Sequence, residues 1–200
     1  RLSGPAEQLV CDLDPERSAR LRQLAASEPF YFASLELSLL SLLGALVCTW
    51  LARTSGNRSL AFGVPFHNRL TEAARQTIGL FMQILPVRIA LDATESFASL
   101  AEKLAIESLE GVRFRHFPVG NPLHRRAYEV ELNYLPMGPA SFAGVPVACE
   151  WFQPDQSESL AVQILDLGES LSLRLNFHCG VFSPRQRQLA VGHLLQVVEA

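Results

Sequence analysis

The side chains best suited to acid–base chemistry are the histidines, because an imidazole titrates near neutral pH. The chain has five: His67, His116, His124, His178 and His193. No two are adjacent, and no serine or acidic residue stands at the spacing of a nucleophile elbow. Cys179 follows His178, but neighbours on a strand point to opposite faces. The pattern favours a structural or surface role for each histidine, and no complete catalytic constellation is visible.

Two arginines beside or within apolar, strand-like runs are the second group that could do chemistry. Arg69 follows one run, and Arg88 lies inside the next. A buried guanidinium is costly unless it is paired, so Arg88 should have Glu131, Asp92 or Glu150 as its partner. Each arginine could contact an anionic substrate or form an ion pair at a strand crossover. The structural interpretation is favoured, more strongly for Arg88 than for Arg69.

Composition argues against several classes of function. The net charge is −3 and the basic residues are scattered, which does not suggest nucleic acid as a partner. The chain contains no GxGxxG, no P-loop and no cluster of metal ligands. Its four cysteines, Cys11, Cys48, Cys149 and Cys179, form no CxxC pair. They are expected to be free thiols in a reducing compartment, which favours a cytoplasmic protein with no cofactor or metal bound directly.

Helix signals occur in five segments. They are the stretch from Asp14 to Pro29, Phe30–Arg53, Thr71–Gln76, Thr94–Phe114 and Pro184–Glu199. N-caps are predicted at Asp14, Thr71 and Ser183, because short polar side chains accept the free N–H groups of a first turn. Gly56 is a plausible stop after the second segment.

The second helical segment is apolar enough to raise the question of a membrane span. Only Glu36 is charged between Phe32 and Ala52, and about 20 apolar residues cross a bilayer. Serine and threonine residues interrupt the run, however, and no basic cluster beside it would set an orientation. We therefore predict a buried core helix and no membrane span.

Strand signals surround these helices. The runs are 8–13, 60–64, 78–91, 128–135, 145–152, 160–167 and 170–177. The last two flank Gly168-Glu169, as in a hairpin. Gly63 and Pro65 suggest a strand end or a close backbone approach, and Pro86 an edge, a bulge or a crossing between sheets. The order predicts an α/β fold in one domain, with a mixed open β-sheet and helices packed on it.

The runs near the two arginines resemble a known family. Gly63-Val64-Pro65 followed by Arg69 is similar to the Gly-x-Pro-x-x-x-Arg strand of nonribosomal peptide synthetase condensation domains. The residues from Gly79 to Arg88 keep the spacing of that family's Gly-x-Phe-Val-Asn-Thr-x-x-x-Arg run. His116-Phe117-Pro118 resembles a shortened form of its histidine-rich motif. The resemblance covers nearly the whole chain, but only the C-terminal half of a condensation domain.

This resemblance implies a fold and a function. The fold is a two-layer sandwich, one of two chloramphenicol-acetyltransferase-like lobes that form a V. The catalytic His-His-x-x-x-Asp-Gly motif belongs to the N-terminal lobe, and residues 1–200 contain no match to it. The chain is expected to be the C-terminal subdomain, inactive alone, with that lobe and acyl or peptidyl carrier proteins as partners. The whole domain would join thioesters carried on phosphopantetheine arms through an amide, or an ester, bond.

The same resemblance assigns candidate site residues. Gly79, Phe81 and Gln83 are expected to line the substrate tunnel, with Arg69 and Arg88 as structural arginines. Gln83 stands where the family has asparagine. If that position faces the tunnel, substrate preference changes. If it only braces the backbone, little changes.

Two alternatives share the fold. One is a non-catalytic module that recognises carrier proteins, and the other is an epimerisation or heterocyclisation relative. The residues preceding Arg1 in the gene would discriminate between them. An isolated lobe should also expose apolar surface that its partner normally covers, and the Pro86 region and the Pro136–Ser159 segment are the expected places.

Overall fold

The computed structural model describes residues 3–115, 127–137, 141–147 and 154–199. Its helices are α1 (Pro15–Ala25), α2 (Leu35–Ser55), α3 (Glu72–Gln76), α4 (Phe97–Arg113) and α5 (Pro184–Glu199). Its strands are β1 (Gly4–Asp12), β2 (Ser59–Phe66), β3 (Gln83–Ala90), β4 (Val130–Pro136), β5 (Ser141–Phe142), β6 (Val145–Pro146), β7 (Asp155–Gln156), β8 (Leu160–Asp166) and β9 (Leu171–His178).

Seven of these strands form one open sheet in the order β3-β2-β4-β8-β9-β1-β7. β4 pairs in parallel with β2 and β8, and the other neighbours are antiparallel. The predicted mixed open sheet is therefore confirmed. β3 is an edge strand, which explains Pro86, because a proline lacks an N–H and is tolerated at an edge.

Alternate strand residues face a single layer of helices. On β8 and β9 these residues are Leu160, Val162, Ile164, Leu171, Leu173, Leu175 and Phe177. They form one apolar core with residues of α1, α2, α4 and α5. The layers approach closely at Gly44 of α2, where an added Cβ would lie 2.9 Å from Cδ2 of Leu132. The result is the two-layer arrangement that the family resemblance implied.

Helix α2 is the centre of this layer. Its N-cap is Ser34, whose hydroxyl accepts the Leu37 N–H at 3.2 Å, and its C-cap is Gly56 with a left-handed φ of 71°. Among the described helices it alone is long and apolar enough to cross a membrane, yet 61% of its apolar window is buried inside the fold. The interpretation as a core helix is confirmed for this fold.

The other predicted caps also hold. Asp14 accepts the Arg17 N–H at 2.7 Å, and Thr71 accepts the Ala74 N–H at 3.2 Å. At the start of α5 the Ser183 hydroxyl accepts the Gln186 N–H at 3.4 Å, and the side-chain oxygen of Gln186 accepts the Ser183 N–H at 2.8 Å. Each cap depends on a local side-chain-to-backbone bond, which explains why the sequence could place it.

Several boundaries differ from the predictions. β1 begins at Gly4, four residues before the predicted run, because its first residues pair with β7 and β9. Of the predicted strand 78–91, only Gln83–Ala90 is extended and paired. α4 begins at Phe97 with Ser96 as its N-cap, later than predicted. The loop that includes 116–126 and most of the predicted strand 145–152 lie outside the described residues.

The late hairpin is confirmed. β8 and β9 pair antiparallel, and the Leu167 N–H donates to the Ser170 carbonyl at 2.9 Å around the Gly168-Glu169 turn. Gly168 has a φ of 89°, a left-handed conformation that favours glycine at this turn position.

Candidate functional site

The loop between β2 and β3 is organised by Arg69. We call residues 67–82 the clamp loop. One guanidinium nitrogen of Arg69 donates to the carbonyls of Ala74 and Thr77, the latter at 2.7 Å, and the other donates to the Gly79 carbonyl at 2.6 Å. This single cation therefore closes the loop on itself, which supports the structural interpretation of Arg69.

The same guanidinium positions two of the tunnel candidates. The Phe81 ring lies 4.6 Å from the Arg69 guanidinium carbon, within range of a cation–π interaction. The Gly79 carbonyl accepts a hydrogen bond from Arg69, and Gly79 has a φ of 155°, a conformation that residues with a side chain rarely adopt. Gly79 and Phe81 are therefore neighbours in one clamped unit.

The entry to the clamp loop is also bonded locally. The Arg69 N–H donates to Nδ1 of His67 at 2.9 Å, and the His67 ring stacks on Phe66. Asn68 has a φ of 54°, which asparagine tolerates better than most residues. Its Oδ1 is buried without a hydrogen-bond partner. His67 thus has a backbone-bracing contact, consistent with the structural role favoured for it.

Gln83, the third tunnel candidate, lies apart from this unit. It is the first residue of β3, opposite Phe66. Strand alternation puts it on the same face as Leu85 and Val87, which point into the apolar layer. Its Oε1 is buried without a partner. This placement favours the bracing alternative for Gln83.

Arg88 does not meet the premise from which its ion pair was predicted. Its side chain is exposed, because it alternates with the buried residues Val87 and Ile89 on the edge strand. The expectation of a buried guanidinium is wrong, since an apolar run on a half-buried strand still turns every second residue outward. Within the described residues the Arg88 side chain forms no ion pair or hydrogen bond.

Gly63 marks a close approach, as its position in β2 predicted. A Cβ on this glycine would lie 2.3 Å from Cε2 of Tyr128. Real Cβ contacts are essentially never this short, so the Tyr128 ring occupies the space of a side chain. The contact lies on the sheet face away from Phe62 and the helix layer.

We call this second side of the sheet the polar face. It carries Gln8, Glu131, Asn133, Gln163, Arg174 and Asn176. Amide bonds cross it from strand to strand: Asn133 Nδ2 donates to Gln163 Oε1 at 2.9 Å, and Gln8 Nε2 donates to Asn176 Oδ1 at 2.9 Å. Gln163 and Asn176 are buried, so these bonds join neighbouring strands inside the fold.

Two cationic or titratable groups stand among these amides. Arg174 is half-buried, and its Nε has no partner. His178 is buried, and its Nδ1 accepts the Gly180 N–H at 3.0 Å. Its Nε2 is buried without a hydrogen-bond partner among the described residues. The sequence signal for these groups is the alternation of polar residues along β9.

Electrostatic pairs hold the rim of the helix layer. Arg22 of α1 contacts the Asp166 carboxylate at 2.7 Å, and Tyr134 donates to the other oxygen at 2.8 Å. Burial alone would raise the pKa of Asp166, but the Arg22, Gly168 and Tyr134 hydrogen bonds outweigh it and lower that pKa. Burial and the Asp166 contact raise the pKa of Tyr134. These shifts belong to structural contacts that join α1 to the hairpin.

The described residues contain no candidate metal centre. No group of three or more His, Cys, Asp or Glu among them could hold a metal ion. Cys11 and Cys48 are buried, and burial raises the pKa of both thiols, which leaves them unreactive. Cys11, Cys48 and Cys179 are free, as predicted, and Cys149 lies outside the described residues.

Comparison with known sequences identifies the family. The condensation-domain sequence model matches residues 5–127, more than half of the chain. The chain belongs to the condensation-domain family. It is 25% identical over 177 residues to a plipastatin synthase protein of Bacillus subtilis (strain 168), covering 82% of this chain and 7% of that protein. It is 21% identical over 167 residues to a dimodular nonribosomal peptide synthase of the same strain, covering 78% of this chain and 7% of that protein.

Solved structures of condensation domains share this fold. A variant of the starter condensation domain of rhizomide synthetase, in complex with C8-CoA, gives a TM-score of 0.77 at 17% identity, over 98% of this chain and 45% of that chain. The first condensation domain of the calcium-dependent antibiotic synthetase gives 0.75 at 20% identity, over 100% of this chain and 45% of that chain. The condensation-domain chain described here therefore spans less than half of these solved domains.

Proposed function

We propose that this chain is the C-terminal half of a condensation domain that joins carrier-bound acyl or aminoacyl thioesters through an amide bond. The observation that carries the proposal is the unequal coverage. The fold aligns over 98% of this chain but only 45% of a solved condensation domain. Its relatives are nonribosomal peptide synthetases. A half-domain without an acid–base constellation among its described residues fits a supporting role.

In this proposal, the chain's residues shape one wall of a tunnel. Arg69 fixes the clamp loop and so places Gly79 and Phe81 at that wall. Gln83 and Arg88 belong to the strand that supports it. Substrates arrive on the phosphopantetheine arms of carrier proteins, and the arms are not held by a dedicated cofactor site. The N-terminal lobe, also a partner in the proposal, supplies the histidine that promotes attack of the acceptor amine on the donor thioester.

A direct test compares the isolated chain with the intact parent protein. Amide formation between carrier-bound donor and acceptor thioesters should occur with the parent and be absent with residues 1–200 alone. Condensation by the isolated chain would overturn the proposal. So would a gene that encodes no His-His-x-x-x-Asp-Gly segment upstream, which would favour the recognition module instead. We place the parent in the cytoplasm, which the free thiols of Cys11, Cys48 and Cys179 in this chain support.

A second test asks whether Phe81 lines the wall of the proposed substrate tunnel. Phe81→Ala in the active parent should lower kcat/KM about tenfold, because a tunnel side chain positions the substrate. Leu189→Ala on α5 is the matched control, because Leu189 is an exposed apolar residue far along the chain from the clamp loop. Equal kcat/KM for the Phe81→Ala variant and the parent would remove Phe81 from the tunnel.

A further inference from the structure

The clamp loop carries the most exposed large apolar side chains of the described chain. Ile78 is fully exposed and Leu80 is 86% exposed. Leu70 and Met82, at the two sides of the same loop, are also exposed. Single exposed apolar residues are common, but several on one loop mark an interaction surface.

The loop's backbone holds these side chains outward. Arg69 bonds the carbonyls of Thr77 and Gly79, the residues on either side of Ile78. Leu80 likewise lies between Gly79 and Phe81, both of which contact the Arg69 guanidinium. Ile78 and Leu80 are therefore presented on an anchored backbone. A preformed surface binds at a lower entropic cost than a loop that must first be ordered.

The charges of this loop are already satisfied within it. The Arg69 guanidinium is used by backbone carbonyls and by the Phe81 ring. Arg75 lies 3.8 Å from Glu72, and Gln76 donates to the same glutamate at 2.8 Å. The Glu72 and Arg75 side chains remain exposed, so the apolar surface is the part of the loop around Ile78 and Leu80. That composition fits a permanent contact, because permanent interfaces are more apolar than transient ones.

The share of the solved condensation domains that this chain covers indicates which partner would bind the exposed apolar side chains. This chain accounts for 45% of two solved condensation domains, so more than half of such a domain lies outside it. We propose that Ile78 and Leu80, held outward by Arg69, are a docking surface for the remaining half of the same condensation domain. This inference rests on the proposed function. It adds the clamp loop to the Pro86 region and the Pro136–Ser159 segment, where the sequence led us to expect the interface.

Cysteine labelling tests the contact in two contexts. Ile78→Cys and Leu80→Cys are placed separately in the 200-residue chain and in the intact parent protein, with Leu189→Cys as the exposed control on α5. Maleimide labelling is followed by mass spectrometry of the individual peptides, which separates these positions from the native cysteines. Labelling at 78 and 80 should be about tenfold slower in the parent than in the isolated chain, and unchanged at 189.

The outcomes separate this inference from the proposed function. Equal labelling in both contexts, with a parent active in condensation, overturns the docking surface and leaves the function intact. Slower labelling at 78 and 80 in a parent that lacks the catalytic motif supports the docking surface and contradicts the proposed function. If labelling at 78 and 80 in the isolated chain slows as the chain concentration rises, a second copy covers these residues. That result would overturn the inference.

Discussion

The two faces of the central sheet are built from opposite kinds of side chain. The helix-covered face presents Leu132, Ile164 and Phe177 to α2 and its neighbours, with none of their surface exposed. The polar face presents Asn133 and Gln163 on the same strands, joined by amide hydrogen bonds. The first face supplies the free energy of folding by burial. The second face joins its strands through amide hydrogen bonds, and its members Gln163 and Asn176 are buried as well.

Neighbouring residues of β4 give the largest expected contrast. Leu132→Ala should destabilise the fold by about 3 kcal/mol, because it removes buried methyl groups and leaves a cavity against α2. Asn133→Ala should cost only about 1 kcal/mol, the loss of one amide bond. Urea unfolding of both variants measures the difference. Similar losses would mean that the polar face is as important for folding as the core.

A substitution at Gly63 tests whether close packing against Tyr128, in addition to hydrogen bonds, stabilises the polar face. Gly63→Ala should cost about 2 kcal/mol, because the new methyl group overlaps the Tyr128 ring. The double variant with Tyr128→Ala should recover part of that loss relative to Tyr128→Ala alone. A double-mutant cycle of unfolding free energies measures the coupling. Additive losses would show that the ring is not the obstacle.

Variants of Arg69 and Arg88 compare how much a bonded loop and an exposed sheet edge contribute to the free energy of unfolding. Arg69→Ala should cost about 1.5 kcal/mol, because three carbonyls and the Phe81 ring lose one shared cation. Arg88→Ala should stay within about 0.5 kcal/mol, as expected for an exposed side chain. Thermal unfolding of both variants provides the measurement. The ranking fails if the Arg88 variant is the less stable one.

The smallest expected effect is the loss of stability in acid that comes from Glu95, which lies just before α4. Hydrogen bonds from Lys103, and then from Ser99, lower the pKa of Glu95 to about 2 from 4.5. A lowered pKa stabilises the fold fully above pH 4.5, and this contribution is lost as the pH falls through about 2. Glu95→Gln should therefore be less stable than the wild type at neutral pH and show a flatter decline in acid. Unfolding curves from pH 7 to 2 measure it, and parallel declines would contradict the assignment.

Local signals were the ones that the sequence predicted well. The caps at Asp14 and Thr71, the stop at Gly56 and the final hairpin all depend on contacts within a few residues. The mixed sheet also followed, since helices separate the early strands and a hairpin ends the fold. Arg88 was misjudged because hydrophobic neighbours in the sequence do not reveal which side of a strand is covered.

The candidate site was only partly accessible from sequence. The resemblance named Gly79, Phe81 and Gln83 as one group, and the structure brings the first two together around Arg69. Gln83 instead shares the helix-facing side of β3, by strand alternation. The amides of the polar face were missed because Asn133 and Gln163 lie 30 residues apart and meet only when β4 and β8 pair.

The sequence by itself determined the five helices, the long strands, the apolar core helix and the family, because these depend on side-chain type at short spacing. Tertiary structure alone decided that Arg69 closes a loop, that Tyr128 fills the space over Gly63, and that Arg88 is exposed. The Tyr128 contact forms only after distant segments meet, and the Arg69 bonds need a loop conformation that no short sequence pattern specifies. A sequence pattern fixes the alternation of side chains, but the choice of covered face is made only when the helices pack.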